Sequence, residues 1–416
     1  MNVEALRRDF PLLTQPDPPR YFDSACMTLK PRQVIDAVVE YYERFPVCAG
    51  RSVYDLSQEL GARINAGRDA LARFLGAPPE GVVWTKNATE AVNLVAHSFP
   101  FQPGDVVLTT DREHNSNLVP WQMLKARGVR HEVLPSLPDG RFDLAGYRER
   151  LARGGVRLVS MVHVSNLDGF QIPARDVVQA AHAVGARVLL DGAQAAPHLP
   201  VNLRALDADF YTVSIHKMLG PTGVGALVTP RPEVLEELSP FLVGGDTVAG
   251  TTYEGPTFVQ GRQRFEAGLQ NFAGLVGVAP AVEYLERVGL EAVRRHDEEI
   301  ARVLAKGLAA VPGLRLLGPP PESRSGCIVS FTHEAWGRDD RHGEKGLGRL
   351  GAHEVAILLN DKHRVLVRSG DHCVHSWLNA HEVPGAVRLS GYLYNTVEEA
   401  EAVVAAVEDL HRRLGG

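Results

Sequence analysis

Two charged residues, Asp191 and Lys217, stand where apolar segments end. Asp191 closes the run RVLLD, and Lys217 follows YTVSIH. An ammonium group avoids the protein interior unless it is paired or used covalently. A lysine that can form a Schiff base, with an acid that can pair with a pyridine nitrogen, is the minimal signature of a pyridoxal phosphate (PLP) site. For either residue taken alone, an ordinary position at a loop mouth is the simpler interpretation.

A second stretch, Thr85 to Ser98, is suited to binding a phosphate. The pattern predicts a strand followed by a helix, in which Asn87 can cap the first turn and Glu90 completes a capping-box spacing. The free N–H groups at a helix N-terminus attract anions. Ser214 and His216, beside the candidate lysine, are the expected partners of this site. On its own the pattern is unspecific, because many strand-to-helix junctions look like this.

These residues must be positioned by a sheet, and six apolar runs predict its strands. They are Val82 to Thr85, Asp105 to Thr110, Arg157 to Ser165, Arg187 to Gly192, Asp209 to Ile215 and Gly225 to Thr229. Nearly continuous apolar runs are typical of strands covered on both faces. An amphipathic helix is predicted from Pro173 to Gly185. Strand, helix and strand in succession indicate an α/β domain with a mainly parallel sheet, which binds ligands at its carboxyl edge.

After Gly289 the pattern changes to that of a smaller α+β domain. Its predicted elements are a helix from Leu290 to Ala310, strands Cys327 to Thr332, His363 to Gly370 and Ala386 to Gly391, and a last helix from Val397 to Leu414. The charged, glycine-rich stretch Gly337 to Gly351 is predicted to be a solvated loop, with partner binding as the alternative. We therefore expect an N-terminal arm (1–14), a large domain (15–285) and a small domain (286–416).

The composition excludes several classes of protein. The 416 residues include 44 Lys and Arg against 50 Asp and Glu, which argues against nucleic acid as a partner. The chain shows neither a membrane-spanning apolar run nor a signal peptide. Four cysteines without a CxxC pair favour neither a disulfide scaffold nor an all-cysteine zinc site. The expectation is a soluble, cytoplasmic protein with no metal site and no membrane partner.

Nine motifs, in order along the chain, carry a resemblance to a known family. They are YFDSAC, NATEAVNLVA, EHNSNLVPWQ, HVSNLDG, DGAQ, SIHKMLGPTGVG, RFEAG, RSGDHC and VRLSGYLYNT. The chain resembles PLP-dependent enzymes of the class V aminotransferase fold, and most closely the group II cysteine desulfurases and selenocysteine lyases. The resemblance implies a fold-type I PLP-dependent transferase, with a large domain that carries the cofactor, a smaller C-terminal domain and a homodimeric assembly.

The resemblance also implies roles for the residues around the cofactor. Lys217 would hold PLP covalently and later move the substrate proton, and Asp191 would pair with the pyridinium nitrogen. Gln194 would donate a hydrogen bond to the phenolic oxygen, and His114 would stack on the ring. The groups implied to hold the phosphate are Ala88, Thr89, Ser214 and His216.

Substrate roles follow by the same resemblance. Arg388 would bind the substrate carboxylate, a bidentate task that suits guanidinium better than ammonium. Arg368 would help to position the catalytic loop, and Asn166 would lie near the cofactor and the carboxylate. Cys373 would be the nucleophile that takes sulfur from the substrate, unless it is a passive loop thiol. Cys327 lies within an apolar strand, where core packing is the favoured interpretation.

The implied reaction converts L-cysteine to L-alanine and leaves a persulfide on Cys373 for a sulfur-acceptor protein, with iron–sulfur cluster assembly as a destination. The alternatives are a selenocysteine lyase, and an epimerase or C–S lyase that does not use Cys373. A non-catalytic scaffold is disfavoured, because it has no need for Lys217, Asp191, His114 and Arg388.

The chain departs from the family at three places near the expected site. Cys26 stands where the family usually has alanine, and Cys48 lies where a His-Arg-Gly stretch is usual. Leu269 stands where a hydroxyl often reaches the neighbouring subunit's phosphate. Sulfur relay, a regulatory disulfide or metal binding would be functions for the two cysteines, while packing as small buried hydrophobes is the simpler interpretation.

Overall fold

Apolar runs become strands, and amphipathic stretches become helices, in a computed structural model that describes residues 1–50, 52–336 and 351–413. The strands are β1 (Arg20–Tyr21), β2 (Val82–Thr85), β3 (Val106–Thr110), β4 (Arg130–Leu134), β5 (Val156–Val162), β6 (Arg187–Asp191), β7 (Phe210–Ser214), β8 (Gly225–Val228), β9 (Val248–Thr251), β10 (Pro256–Phe258), β11 (Leu314–Leu316), β12 (Ile328–His333), β13 (Val365–Leu366), β14 (Arg368–Gly370) and β15 (Ala386–Ser390). Most of the predicted loop Gly337 to Gly351 lies outside the described residues.

Helices cover the strands. They are α1 (Val3–Arg7), α2 (Arg32–Arg44), α3 (Asp55–Leu75), α4 (Ala88–Ser98), α5 (Val119–Met123), α6 (Leu144–Ala152), α7 (Ala174–His182), α8 (Leu203–Leu206), α9 (Phe272–Val276), α10 (Val278–Val288), α11 (Leu290–Ala309), α12 (Ala352–His363), α13 (His375–Ala380) and α14 (Val397–Arg413). None of the helices within the described part of the chain is long and apolar enough to cross a bilayer.

The large sheet has seven strands in the order β2-β8-β7-β6-β5-β3-β4. The five strands from β7 to β4 run parallel, and β8 is antiparallel to both of its neighbours. The predicted mainly parallel α/β sheet is therefore confirmed. Asp191 pairs with Thr212 in register, so the carboxyl ends of β6 and β7 lie side by side. This brings Asp191 close to the segment that carries Lys217.

The second sheet is antiparallel, with the order β11-β12-β15-β14, and lies against α11 and α12, on which α14 packs. The predicted single strand His363 to Gly370 is wrong. β13 pairs with β1 near the N-terminus, whereas β14 pairs with β15, so the chain changes partner at Val367. The strand β4 was not predicted, because the polar residues Arg130, His131 and Glu132 of this edge strand break the apolar pattern.

A buried ion pair connects α3 to the large sheet. Arg68 donates to both oxygens of Glu266, at 2.8 and 3.0 Å. Glu266 also accepts from the backbone N–H of Trp84, at 2.8 Å, and the Arg68 guanidinium lies over the Trp84 ring. Removing one partner of such a pair leaves the other charge buried and uncompensated. The glutamate of the RFEAG motif therefore has a structural task.

We expect Glu266→Ala to lower the free energy of unfolding by about 3–5 kcal/mol, because the Arg68 charge and the Trp84 N–H lose their partner. Glu286→Ala is the matched control. Glu286 binds Arg73 of the same helix α3, also through both oxygens, but at the surface. Its loss should change stability by about 1 kcal/mol or less. Equal effects of the two substitutions in urea unfolding would show that burial of the pair does not matter.

Candidate active site

A cavity of about 260 Å³ lies at the carboxyl edge of the large sheet and extends to β14 and β15. Its lining includes every residue that the sequence assigned to the site: Ala88, Thr89, His114, Asn166, Asp191, Gln194, Ser214, His216, Lys217, Arg368, Cys373 and Arg388. Residues far apart in sequence and from both sheets thus meet at one place. The arrangement is that of a small-molecule site with several convergent polar groups.

Lys217 and Asp191 are the charged centre of this cavity. Lys217 ends the short 3₁₀ turn Ile215–Lys217, which directly follows β7. Burial lowers the pKa of its ammonium, and the Asp191 carboxylate partly opposes that effect. Burial raises the pKa of Asp191. The carboxylate accepts hydrogen bonds from Ala193 N (3.0 Å) and Thr212 Oγ1 (3.4 Å), both on Oδ1.

His114 is held as a neutral ring. Its Nδ1 accepts a hydrogen bond from the backbone N–H of Ser116, at 3.0 Å. Burial, reinforced by the positive charges of Lys217 and Arg388, lowers the pKa of the imidazole to about 3. The preceding Glu113 is buried and accepts from Thr110 Oγ1 at 2.6 Å. This bond ties the histidine segment to the end of β3.

The N-terminus of α4 forms one wall of the cavity. Asn87 Oδ1 accepts from Glu90 N at 3.0 Å, so the predicted cap is present. Ala88 N donates to Ser214 Oγ at 3.0 Å, which joins the helix start to the end of β7. A Cβ atom on Gly225 would lie 2.5 Å from the Asn87 Cα, so this close approach of β8 requires glycine. The first turn of α4 and the hydroxyl of Ser214 therefore face the cavity together.

Arg388 enters the cavity from β15. It is buried and donates to Asn166 O at 3.0 Å and to Asp23 Oδ1 at 3.1 Å. Burial lowers the pKa of Arg388, and the Asp23 carboxylate opposes that effect. Asp23 was not assigned to the site from the sequence, although it lies inside the YFDSAC motif.

Three buried polar atoms in the cavity wall have no hydrogen-bond partner within the described part of the chain. They are Arg388 Nε, Asn166 Oδ1 and Gln194 Oε1. Buried polar atoms are normally satisfied, so such orphans indicate a ligand or water site. All three belong to side chains that the sequence had placed near cofactor or substrate.

Cys373 sits on a strained and firmly anchored segment. The φ angles of His372 and Cys373 are +49° and +59°, in the left-handed region that non-glycine residues seldom adopt. The carbonyl of Cys373 accepts from Asn115 N, and that of His372 accepts from Asn166 Nδ2, both at 2.7 Å. These bonds link the segment to the large-sheet side of the cavity. Sequence patterns carry no signal for this backbone conformation.

The other cysteines differ in their surroundings. Cys327 is fully buried, as predicted, and burial raises the pKa of its thiol. Cys26 and Cys48 are only partly buried, so the interpretation as buried hydrophobes is wrong for both. Cys26 lines the cavity, and its Sγ accepts a hydrogen bond from Arg368 at 3.0 Å. Cys48 lies in the loop before α3, where its carbonyl accepts from Ser57 Oγ.

With this geometry established, comparison with known proteins is informative. The family model for class V aminotransferases matches residues 20–403. A cysteine desulfurase of Haloferax volcanii is 36% identical over 429 residues, covering 98% of this chain and 96% of that protein. The apo structure of a cysteine desulfurase from Thermococcus onnurineus NA1 superposes with a TM-score of 0.89 at 33% identity, covering 99% of this chain and 98% of that one.

A structure of the Escherichia coli cysteine desulfurase CsdA in an S-sulfonic acid form superposes with a TM-score of 0.88 at 30% identity, covering 100% of this chain and 99% of that one. The fold and the site thus define a class V aminotransferase. Within that class, the chain belongs to the PLP-dependent cysteine desulfurase family. The resemblance stated from the motifs is confirmed.

The neutral state of His114 predicts a pH dependence of stability. The folded protein holds this group at a pKa of about 3, against 6.5 for a free histidine. Between these two pH values the unfolded chain binds a proton at His114 that the folded chain does not bind. The free energy of unfolding therefore falls as the pH falls. When the pH is lowered from 7.5 to 5, we expect the free energy of unfolding of the parent to fall by about 2 kcal/mol more than that of His114→Phe. Parallel curves for parent and variant in urea unfolding would contradict a neutral, buried His114.

Proposed function

We propose that this chain is a PLP-dependent cysteine desulfurase that converts L-cysteine to L-alanine and keeps the sulfur as a persulfide on Cys373. One observation carries the proposal. The cavity that contains the thiol of Cys373 also contains the Lys217–Asp191 pair and the guanidinium of Arg388. A thiol nucleophile, a covalent anchor for a cofactor and a carboxylate receptor are thus within reach of one small molecule.

The residues present fit PLP. Lys217 would hold the cofactor covalently, and Asp191 would face its ring nitrogen. The Gln194 Nε2 donates one N–H to the Ala25 carbonyl, and its second N–H would donate to the phenolic oxygen. Neutral His114 offers a ring face without charge. When bound, PLP supplies an electron sink for the carbon atoms of an amino acid. The groups proposed to hold its phosphate are the backbone of Ala88 and Thr89 with the side chains of Ser214 and His216.

On the substrate side, Arg388 is proposed to bind the carboxylate. Its Nε has no partner among the described residues, and its present contacts with Asp23 and with the Asn166 carbonyl hold the guanidinium plane in place. Asn166 Oδ1 also has no partner among the described residues, and it can accept a hydrogen bond from a donor group of the ligand. Arg368, at the start of β14, is proposed to position the segment that carries Cys373. Lys217 Nζ, whose pKa burial lowers, can accept a proton from the substrate and return it.

Cys373 is proposed to be the nucleophile. Its sulfur forms a bond with the substrate sulfur, the substrate C–S bond breaks, and a proton completes L-alanine. The balance is L-cysteine plus the Cys373 thiol giving L-alanine plus the Cys373 persulfide. The anchored carbonyls of His372 and Cys373 hold the nucleophile at the cavity wall, which is the positioning that such a step requires.

The oligomeric state, the domain boundaries, the cellular location and the sulfur acceptor of the enzyme are also proposals. A homodimer is supported by Leu242 and Leu269, which are exposed and line one depression of the large-domain surface. The proposed division into residues 15–285 and 286–416 is supported by two sheets with largely separate apolar cores. The proposed arm, residues 1–14, packs on the first of these cores through Phe10 and Leu13. We propose further that the enzyme acts in the cytoplasm and passes sulfur to an acceptor protein, with iron–sulfur cluster assembly as the destination.

The test is to incubate the PLP-loaded protein with L-cysteine and a reducing thiol, and to measure alanine and sulfide. We expect equal amounts of both from the parent, and a loss of about 100-fold or more in Cys373→Ser, because a serine hydroxyl cannot form the persulfide. Cys48→Ser, a partly exposed thiol outside the cavity lining, is the control that should retain activity.

Each alternative has its own outcome in this experiment. Full formation of alanine and sulfide by Cys373→Ser would show that the proposal is wrong. A C–S lyase that does not use Cys373 would release sulfide without alanine, and an epimerase would release neither. The same assay with L-selenocysteine tests the lyase alternative, which predicts turnover of the selenium substrate and little or no alanine from L-cysteine. No alanine from a PLP-loaded parent would overturn the desulfurase function altogether.

A further inference from the structure

The cavity contains a second thiol that the reaction does not use. Cys26 is partly exposed and lines the same cavity as Cys373. Two cysteines therefore line one small cavity.

The segment that carries Cys26 is held firmly. The backbone N–H of Cys26 donates to the Asp23 carbonyl at 3.0 Å. The neighbouring Ala25 donates to Ser390 Oγ at 3.0 Å and accepts from Gln194 Nε2 at 2.7 Å. These contacts come from β15 and from the turn after β6. The thiol is therefore presented to the cavity by a fixed backbone.

The surroundings of Cys26 are electropositive. Arg368 donates to its Sγ at 3.0 Å, and the sulfur also interacts electrostatically with Lys217 and Arg388. Tyr21 also interacts electrostatically with Cys26, and the acidic Asp23 forms an ion pair with Arg388. Reactive cysteines occupy partly exposed, electropositive sites of this kind, whereas fully buried cysteines such as Cys327 are inert. Lys217 interacts electrostatically with both sulfurs, because Cys26 and Cys373 each raise the pKa of its ammonium against the effect of burial.

We infer that Cys26 is a second sulfur-accepting residue, which takes the sulfane sulfur from the Cys373 persulfide. This inference rests on the proposed desulfurase function. The sulfur of Cys26 attacks the outer sulfur of the persulfide, a new S–S bond forms on Cys26, and the S–S bond to Cys373 breaks. One proton passes to Cys373, so that a persulfide and a thiol exchange places and no oxidant or reductant is needed. Arg368 can donate to the sulfur of Cys26 before and after the transfer.

Such a transfer would free Cys373 for another turnover before an acceptor arrives. The enzyme would then store sulfur at two positions of one cavity. Without an acceptor or a reducing thiol, the amount of alanine formed counts the thiols that can be loaded. We expect a burst of about two alanines per chain for the parent and about one for Cys26→Ser, in which the hydroxyl keeps the Arg368 contact.

The direct experiment locates the sulfur. The PLP-loaded parent is incubated with L-cysteine without oxygen or reducing thiol, alkylated and digested with trypsin. The sequence places Cys26 in peptide 21–32, Cys48 in 45–51 and Cys373 in 369–388, so each thiol is read separately by mass spectrometry. We expect an extra sulfur on the peptides of Cys26 and Cys373 but not on that of Cys48. In Cys373→Ser the Cys26 peptide should carry none.

The outcomes separate this inference from the proposed function. Sulfur on Cys373 alone, with alanine formed, would overturn the transfer and leave the desulfurase standing. A disulfide joining peptides 21–32 and 369–388 would also overturn it, since attack would then fall on the inner sulfur. Equal sulfur on Cys48 would show non-specific exchange. Sulfur on neither peptide and no alanine would contradict the proposed function itself.

Discussion

The site depends on burying opposite charges, Lys217 and Asp191, at adjacent strand ends. Burial acts against both charges: it lowers the pKa of the lysine and raises that of the carboxyl. Their positions follow from the parallel register of β6 and β7, which brings the two carboxyl ends together. Two other ionisable groups around the cavity add little uncompensated charge to that of this pair. His114 is neutral, and the Asp23 carboxylate offsets the charge of Arg388.

The second constraint is that residues of the antiparallel sheet must complete the cavity. Arg388, Arg368 and Cys373 come from β15, β14 and the segment between them, far along the chain from Lys217 and Asp191. Hydrogen bonds from Asn115 and Asn166 tie that segment to the large-sheet side. The left-handed conformation of Cys373 is sustained by these contacts, as backbone strain at functional sites generally is. Cys373 is therefore placed by tertiary contacts rather than by local propensity.

Much of the fold was predictable because buried parallel strands are long apolar runs. Residues 82–85 were predicted as a strand and are one, and the helix at 290–310 ends within one residue of its prediction. The edge strand β4 and the division between β13 and β14 were not predictable. The polar residues of β4 break the apolar pattern that predicts a strand. The division between β13 and β14 depends on which distant strand each of them pairs with. The motifs, read in their order along the chain, predicted the residues that line the cavity. The Asp23–Arg388 contact and the Arg368–Cys26 hydrogen bond could be identified only in the folded structure.

Borohydride reduction of the PLP-loaded protein, followed by peptide mapping, identifies the lysine that holds the cofactor, for which we propose Lys217. Lys30 provides an internal rival: burial lowers its pKa to about 7, and its Nζ donates to the His216 carbonyl at 2.9 Å. We expect a single pyridoxyl group on Lys217 and none on Lys30. A label on Lys30, or no covalent label in protein that retains PLP, would contradict it.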